Sequence, residues 1–567
     1  MITAAVEPTP AADEPDAPDD APGEHVARRR DTGLAFLATT SLVLGVLLVR
    51  NRLAFSTALY EEGDLAADSR LVESARNLKL FYGQYSRFGF HHPGPVYLYV
   101  RGFGESMLHD LLGVVPALFN GQFIAVLVLN AAIVGATAML LARRTSHPVM
   151  FAVAFGLARL AAGIDQPGIL SYPWMPLVVI WPFALFLVAS ADVMDGRLRS
   201  MPYLVAGAAL CISGSVNMVP FIGAGILVVG VRLWKRGSTV AWRAERRSLV
   251  VAAAIAAAFA VPLLADLARG SASNVTAIWR YATSATTYAH SWRASLGYTA
   301  RFWFHGAPGS RKPLVVAVLL VALALLLVEA TRNRASSTQG QAASQGGPTL
   351  DTSLLRPLLL LVGVETVLGL LYAHRYVDDL HLTYIEVFQL ACPIVVFGAA
   401  GIALVDLFSR RLDARPAPTY ALAGLLFGTG SLTMLVIAGH DSTPAGLHTR
   451  GVDATAAVLR ERFGDQTVAI DFQLSEWEQG VALFVYEHRR GHPVCFANPD
   501  FLAMRAMPAG DQCGPLDASG ARVRLVRTTA AASDTAATGT LPDGSAALGE
   551  ITGHNGTVSV RAVPVTS

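Results

Sequence analysis

Long apolar runs recur along this chain, and a run of about 17 to 25 apolar residues has few ways to fold outside a lipid bilayer. Such runs lie near 33–49, 121–142, 148–164, 173–194, 201–217, 219–234, 249–268, 313–330, 357–373, 384–407 and 419–438. They predict an all-α polytopic membrane protein with about eleven transmembrane helices. Only 15% of the 567 residues are charged, against roughly a quarter in soluble domains. The net charge of +2 is spread between the runs, which argues against nucleic acid, because a phosphate-tracking surface gathers its cations on one face.

Basic clusters set the expected orientation. Arg28 to Arg30, Arg143 with Arg144, Arg197 with Arg199, Lys235 through Arg247, Arg332 with Arg334, and Arg410 through Arg415 fall at every second boundary, as cytoplasmic loops require. The amino terminus is then inside and the carboxyl terminus outside, in the plasma membrane. The loops 51–118, 165–172, 269–312 and 374–383 face outward, with everything after residue 439. Loop 269–312 carries Arg280, Arg293, Arg301, Arg311 and Lys312 against this rule. Either the span count is off by one, or these cations serve an anionic ligand.

The organisation follows: a cytoplasmic amino-terminal segment 1–30, a membrane domain 31–439 and an outer domain 440–567. Residues 1–27 have too few bulky apolar side chains to offset the entropy of ordering, which predicts disorder. No cleavable signal peptide is expected ahead of the first run. The Gly/Ser/Gln-rich stretch 335–350 reads as a cytoplasmic linker. In the outer domain, helices at 452–464 and 475–489 alternate with strands at 467–472 and 493–497, the pattern of a small α/β unit. Its Cys495 and Cys513 are placed to pair in an oxidising compartment, whereas Cys211 and Cys392 fall inside spans and act as small apolar side chains.

The stretch 61–105 stands apart, acidic and aromatic between two spans. Asp64 and Asp68 are four residues apart, so a helix puts both carboxylates on one face, where they repel unless a cation or a hydrogen-bonding substrate lies between them. That suits a general base, a divalent metal such as Mg or Mn, or both. Along the same helix Leu71, Ala75 and Leu78 form a stripe expected to lie on the outer membrane surface. Beyond it, Pro93 and Pro95 stiffen the chain around His91 and His92. In an extended segment adjacent side chains point to opposite sides, so one imidazole is expected to face the site and the other to pack.

One span, an outer loop with an acid leading the segment DSRLVESARNL, a Phe-rich stretch, and a proline-rich turn entering a tyrosine-rich apolar segment together resemble the GT-C superfamily of integral membrane glycosyltransferases, including mannosyl-, arabinosyl- and aminoarabinose-transferases. The likeness in topology covers the membrane part and the motifs fall in about 64–100. The resemblance implies transfer of a sugar from a polyprenyl-phosphate donor to a cell-envelope acceptor outside the membrane, with Asp68 as the matched acid. Where branches of the family read Asp-Glu and later Lys-Pro-Pro-Leu, this chain has Asp68-Ser69 and His92-Pro93-Gly94-Pro95.

Such a transfer needs a base for the acceptor proton, positive groups or donors for the leaving phosphate, and a site that excludes water. Asp68 is the expected base, with Asp64 as the alternative. Arg280, Arg293 and Arg301, interleaved with Trp279, Tyr281, Trp292 and Tyr298, are phosphate candidates; an aromatic belt with snorkelling arginines gives the same pattern. Asp378, Asp379 and His381 in the turn after residue 373 can hold a metal or meet the acceptor, or simply form a solvated hairpin; Asp165 sits in a short outer turn of its own. Glu365 falls deep in a span, where a charge is costly enough to suggest a role. A transporter or flippase of lipid-linked sugars is the competing class, and a polymerase or ligase of lipid-linked glycans a third.

Overall fold

A computed structural model describes residues 22–145, 148–162, 168–237, 242–284, 287–304, 354–399, 449–497, 509–514, 521–527, 545–553 and 556–563. The spans expected at 313–330 and 419–438, the part of 384–407 beyond residue 399, the linker, residues 1–21, Asp165, Arg311 and Lys312 lie outside the described residues.

Among the described residues six helices are long and apolar enough to cross a bilayer, the build of a membrane protein: Asp31–Arg50, Leu118–Ala142, Met175–Met194, Met218–Arg236, Arg246–Leu267 and Leu355–Arg375. In chain order the helices are α1 (Pro22–Arg50), α2 (Gly63–Arg76), α3 (Val96–Gly104), α4 (Leu118–Ala142), α5 (Pro148–Ala162), α6 (Met175–Met194), α7 (Met201–Gly214), α8 (Met218–Arg236), α9 (Arg246–Leu267), α10 (Asn274–Ser284), α11 (Trp292–Trp303), α12 (Leu355–Arg375) and α13 (Val387–Ala399). The apolar runs at 148–164 and 201–217 thus appear as helices of 15 and 14 residues. Helix α1 is described from Pro22, so it includes residues 22–27 of the segment expected to be disordered.

Helices α4 and α6 are buried along most of their length and form the centre of the membrane core, with Phe119, Phe123, Trp181, Phe183 and Phe186 fully enclosed. At the end of this bundle opposite the first loop, Arg144 binds Asp192 and, at 3.0 Å, Asp195, while Arg236 donates to the Asp195 backbone carbonyl at 2.6 Å. Charges at that depth persist only when paired, and this knot ties α4, α6 and α8 together.

The outer domain holds α14 (Val452–Phe463), α15 (Trp477–His488) and five strands: β1 (Val468–Asp471), β2 (Val494–Phe496), β3 (Ala521–Arg527), β4 (Ala546–Gly553) and β5 (Gly556–Val563). The sheet order is β2-β1-β3-β5-β4, with β1 parallel to both its neighbours and β5 antiparallel to β3 and β4. The first two helices and strands fall where the sequence pattern puts them. Cys495 and Cys513 form a disulfide, with Cα atoms 4.9 Å apart. Ala66 and Ala67 of α2 belong to this domain's apolar core, and Arg70 bridges to Asp511 at 3.0 Å. The first loop and the outer domain therefore lie on the same side of the helical bundle.

That docking corrects the reading of α2. Leu71 and Ala75 are buried with Leu80 and Leu98, not spread on a membrane surface, and Leu78, beyond the helix end, is 75% exposed. A helix that contacts protein on several faces needs no lipid to cover its apolar stripe.

Candidate active site

A cavity of about 460 Å³ opens where the first loop, the start of α6, the α7–α8 turn, α10, α12 and the outer domain meet. Asp64, Asp68, Arg87, His92 and Asp378 line it, among the rings of Tyr85, Phe90, Trp174, Tyr281, Tyr372, Tyr384 and Trp477.

Asp64 and Asp68 both reach it from α2, as their four-residue spacing requires, but their surroundings differ. Asp64 is held as an acceptor by donors from three distant segments: Trp174 Nε1 at 3.0 Å, Trp477 Nε1 at 3.2 Å, and the Tyr85 hydroxyl. Burial, and then the Asp64 carboxylate, hold the Tyr85 phenol well above its ordinary value, so it remains a donor. Asp68 accepts from Arg101 Nη1 at 2.9 Å through Oδ2, while its Oδ1 has no hydrogen-bond partner among the described residues. Burial pushes the Asp68 carboxyl from 3.8 up to about 7, against the pull of the Arg101 guanidinium and with the help of the Asp64 charge.

Arg101 is itself wholly buried. Its remaining donors reach Gln122 Oε1 at 2.6 Å, the Leu65 carbonyl at 3.2 Å and Ser69 Oγ at 3.4 Å. Gln122 Nε2 donates onward to Glu105 Oε1 at 2.5 Å. A lone cation in the apolar run of α3 is a signal for a buried pair, although the sequence alone does not name the partner.

The two histidines divide as their alternation predicts. His92 lines the cavity, and its Nδ1 accepts from the Val216 backbone N–H at 3.2 Å, which places the proton of the neutral ring on Nε2. His91 stacks on Tyr82 with ring centres 4.3 Å apart, and its backbone is clasped by the Asn274 side chain. Burial lowers both imidazoles to about 4, so both are neutral near pH 7. The turn before α3 is held by close backbone approach: a Cβ on Gly94 would meet Ser213 Oγ at 2.4 Å and Ser213 Cβ at 2.7 Å.

Arg280, Arg293 and Arg301 do not join the cavity. Each is exposed on α10 or α11. Arg280 and Arg301 donate to the carbonyls of Ser271 and Leu380. On these amphipathic helices Trp279 and Trp292 stay exposed with the guanidinium groups, Tyr298 is buried, and it is Tyr281 that enters the cavity. The lining cation is Arg87, which pairs with Asp378 at 2.6 Å and lies 4.8 Å from the Phe88 ring centre. Asp379 accepts from the His381 backbone N–H at 2.8 Å and shapes that turn, and His381 is exposed, so neither lines the cavity. The described residues bring together no group of three or more His, Cys, Asp or Glu side chains around one point.

No family model matches this chain, and no curated protein does. The functional reading therefore rests on the cavity itself.

Proposed function

We propose that this protein is a glycosyltransferase of the GT-C kind, moving a sugar from a polyprenyl-phosphate donor to a hydroxyl of a cell-envelope acceptor on the outer side of the plasma membrane. The observation that carries the reading is one cavity between membrane helices and an extramembrane domain that joins Asp68, Asp64, Arg87 and His92 within aromatic walls. Ligand sites of this size are mostly apolar with a few converging polar groups, and aromatic faces suit sugar rings and lipid headgroups alike.

In this reading Asp68 Oδ1 takes the proton of the acceptor hydroxyl as that oxygen attacks the anomeric carbon and the bond from the sugar to the phosphate oxygen breaks. A carboxyl brought to about 7 is well matched to that task near neutral pH. Asp64, fixed by three donors, orients the acceptor. Arg87 and the Nε2–H of His92 meet the charge on the departing polyprenyl phosphate, in the role expected of the loop arginines.

The test supplies purified protein in lipid nanodiscs with a panel of radiolabelled polyprenyl-phosphate sugars and envelope-glycan acceptors. Wild type transfers label from one donor, and Asp68→Asn, folded to the same melting temperature, loses at least about a hundredfold in rate. Unchanged turnover in that variant overturns the assignment. A second reading, a carrier of lipid-linked sugars, is favoured by Glu365 and Glu386, whose buried carboxyl oxygens have no hydrogen-bond partner among the described residues. It predicts movement of intact donor across the bilayer and no transfer.

A further inference from the structure

Helix α15 belongs to the outer domain, yet one of its ends touches Asp64 and the other the polar line that leads to Asp68. At its first residue Trp477 donates to Asp64 Oδ1 at 3.2 Å while its ring lines the cavity. Twelve residues on, roughly 18 Å along the helix at 1.5 Å per residue, Arg489 caps its carboxyl end. Arg489 donates from Nη1 to Glu105 Oε1 at 2.7 Å and from Nη2 to the backbone carbonyl of Ser69, the residue after Asp68. From Glu105 the polar line continues through Gln122 to Arg101 and so to Asp68.

We propose that Trp477 and Arg489 are positioning residues through which the docked outer domain fixes both acids of the cavity, Asp64 directly and Asp68 by way of Glu105, Gln122 and Arg101. The inference rests on the reading that these acids are the reacting groups. Its physical basis is charge balance. Glu105 is fully buried and within reach of the same polar line that serves Arg101. Glu105 takes Arg489 on Oε1, the oxygen that also accepts from Gln122, and the partly exposed Arg76 on Oε2 at 3.4 Å, so Arg101 is left to Asp68. Without Arg489, Glu105 keeps only the longer Arg76 contact, its Oε1 charge bears on the Gln122–Arg101 side, and the hold of Arg101 on Asp68 weakens.

The charged and titratable groups around this line are Asp64 on the same helix as Asp68, Tyr85 in the first loop, Arg101 and Glu105 at α3, Glu61 ahead of α2, Glu73 beside Arg489, and Arg76 at the end of α2, which pairs with both Glu105 and Asp110. Losing a cation from this set favours the protonated carboxyl of Asp68, and losing an anion favours the ionised one.

The experiment uses the full-length protein in nanodiscs and dicyclohexylcarbodiimide, an apolar reagent that attacks protonated carboxyls. Adducts at Asp68 and Asp64 are quantified by peptide mass spectrometry from pH 5 to pH 9. Arg489→Gln moves the midpoint of Asp68 labelling upward by about half a pH unit or more, and Arg489→Lys restores most of the wild-type value. Glu105→Gln moves it downward. Trp477→Phe keeps a ring but removes the donor, and Asp64, freed of one contact, gives a higher adduct yield at about pH 7. Arg524→Gln, which breaks only the pair with Asp471 in the sheet, leaves the Asp68 midpoint and the Asp64 yield in place.

An unmoved Asp68 midpoint in Arg489→Gln together with an unchanged Asp64 yield in Trp477→Phe overturns the proposal, as do equal changes in Arg524→Gln. Should Arg489→Gln fail to fold, the sign of the Glu105→Gln shift decides. Labelling needs no sugar donor, so its outcome is read separately from the transferase assignment.

Discussion

Replacing Arg101 with methionine removes a guanidinium that is wholly buried and makes four hydrogen-bonding contacts, to Asp68, Gln122, Leu65 and Ser69. The apolar stem survives in methionine, so packing is largely kept and the loss is electrostatic. Asp68 then faces the interior without its cation, and the Leu65 carbonyl loses its partner. Breaking a buried pair by removing one member costs about 3–5 kcal/mol, whereas replacing both members with apolar groups is often close to neutral. Arg101→Met is therefore expected to lose about 3–5 kcal/mol, and Arg101→Met with Asp68→Leu to recover about 2 kcal/mol or more of it. Equilibrium unfolding by dodecyl sulfate in mixed micelles, at pH 8 where Asp68 is ionised, reads all four corners of the cycle. A loss under about 1 kcal/mol, or a double variant as unstable as the sum of the singles, refutes the buried pair and the pathway to Asp68 built on it.

Other expectations follow from the same contacts. The folded pKa of Asp68 lies above its unfolded value, so its contribution to stability is complete below about pH 4 and is lost as pH rises toward about 7; Asp68→Asn removes this fall, about 4 kcal/mol across the window at 1.36 kcal/mol per unit, as read by unfolding from pH 4 to pH 8. The sign reverses for His92, whose folded value is lowered from 6.5 to about 4, so its contribution is present above about 6.5 and lost on acidification; His92→Gln is expected to flatten the acid side of the same curve. Arg87→Gln removes the cavity's lining cation and is expected to raise the KM for a polyprenyl-phosphate sugar by about ten- to a hundredfold, the worth of a charged hydrogen bond, with folding unchanged. Gly94→Ala drives a Cβ into Ser213 and is expected to lower the melting temperature and to disturb the His92 contact with Val216; a fully wild-type melting curve would contradict the close approach.

Much of the helical scaffold was legible because apolar runs of spanning length have so few outcomes, and the alternation in the outer domain located α14, β1, α15 and β2. The later strands β3 to β5 are not among the expected elements, although β3 (ARVRLVR) and β5 (GTVSVRAV) alternate apolar and polar residues and carried a readable period-2 signal; only β4, with its Ala and Gly residues, shows little of it. Within the cavity, helical spacing sufficed to bring Asp64 and Asp68 to one face and local stiffness to separate His91 from His92. The groups that complete it could not be read locally. Trp477 and Arg489 arrive from residues more than 380 positions away, and only tertiary packing brings them in. The arginines of α10 and α11 misled because their interleaving with aromatic residues is also what an amphipathic surface helix shows, and the choice between Arg280 and Arg87 turns on which face is covered.

The central claim is that a lipid-linked phosphate occupies the cavity beside Asp68. A polyprenyl phosphate carrying a photoreactive diazirine next to its phosphate, irradiated on the wild-type protein in nanodiscs and mapped by mass spectrometry, tests this most directly. The account predicts adducts on 84–92, 214–217 and 372–388, the segments that line the cavity, suppressed by excess unlabelled polyprenyl phosphate. Adducts confined to other surfaces, or labelling indifferent to that competitor, would contradict it.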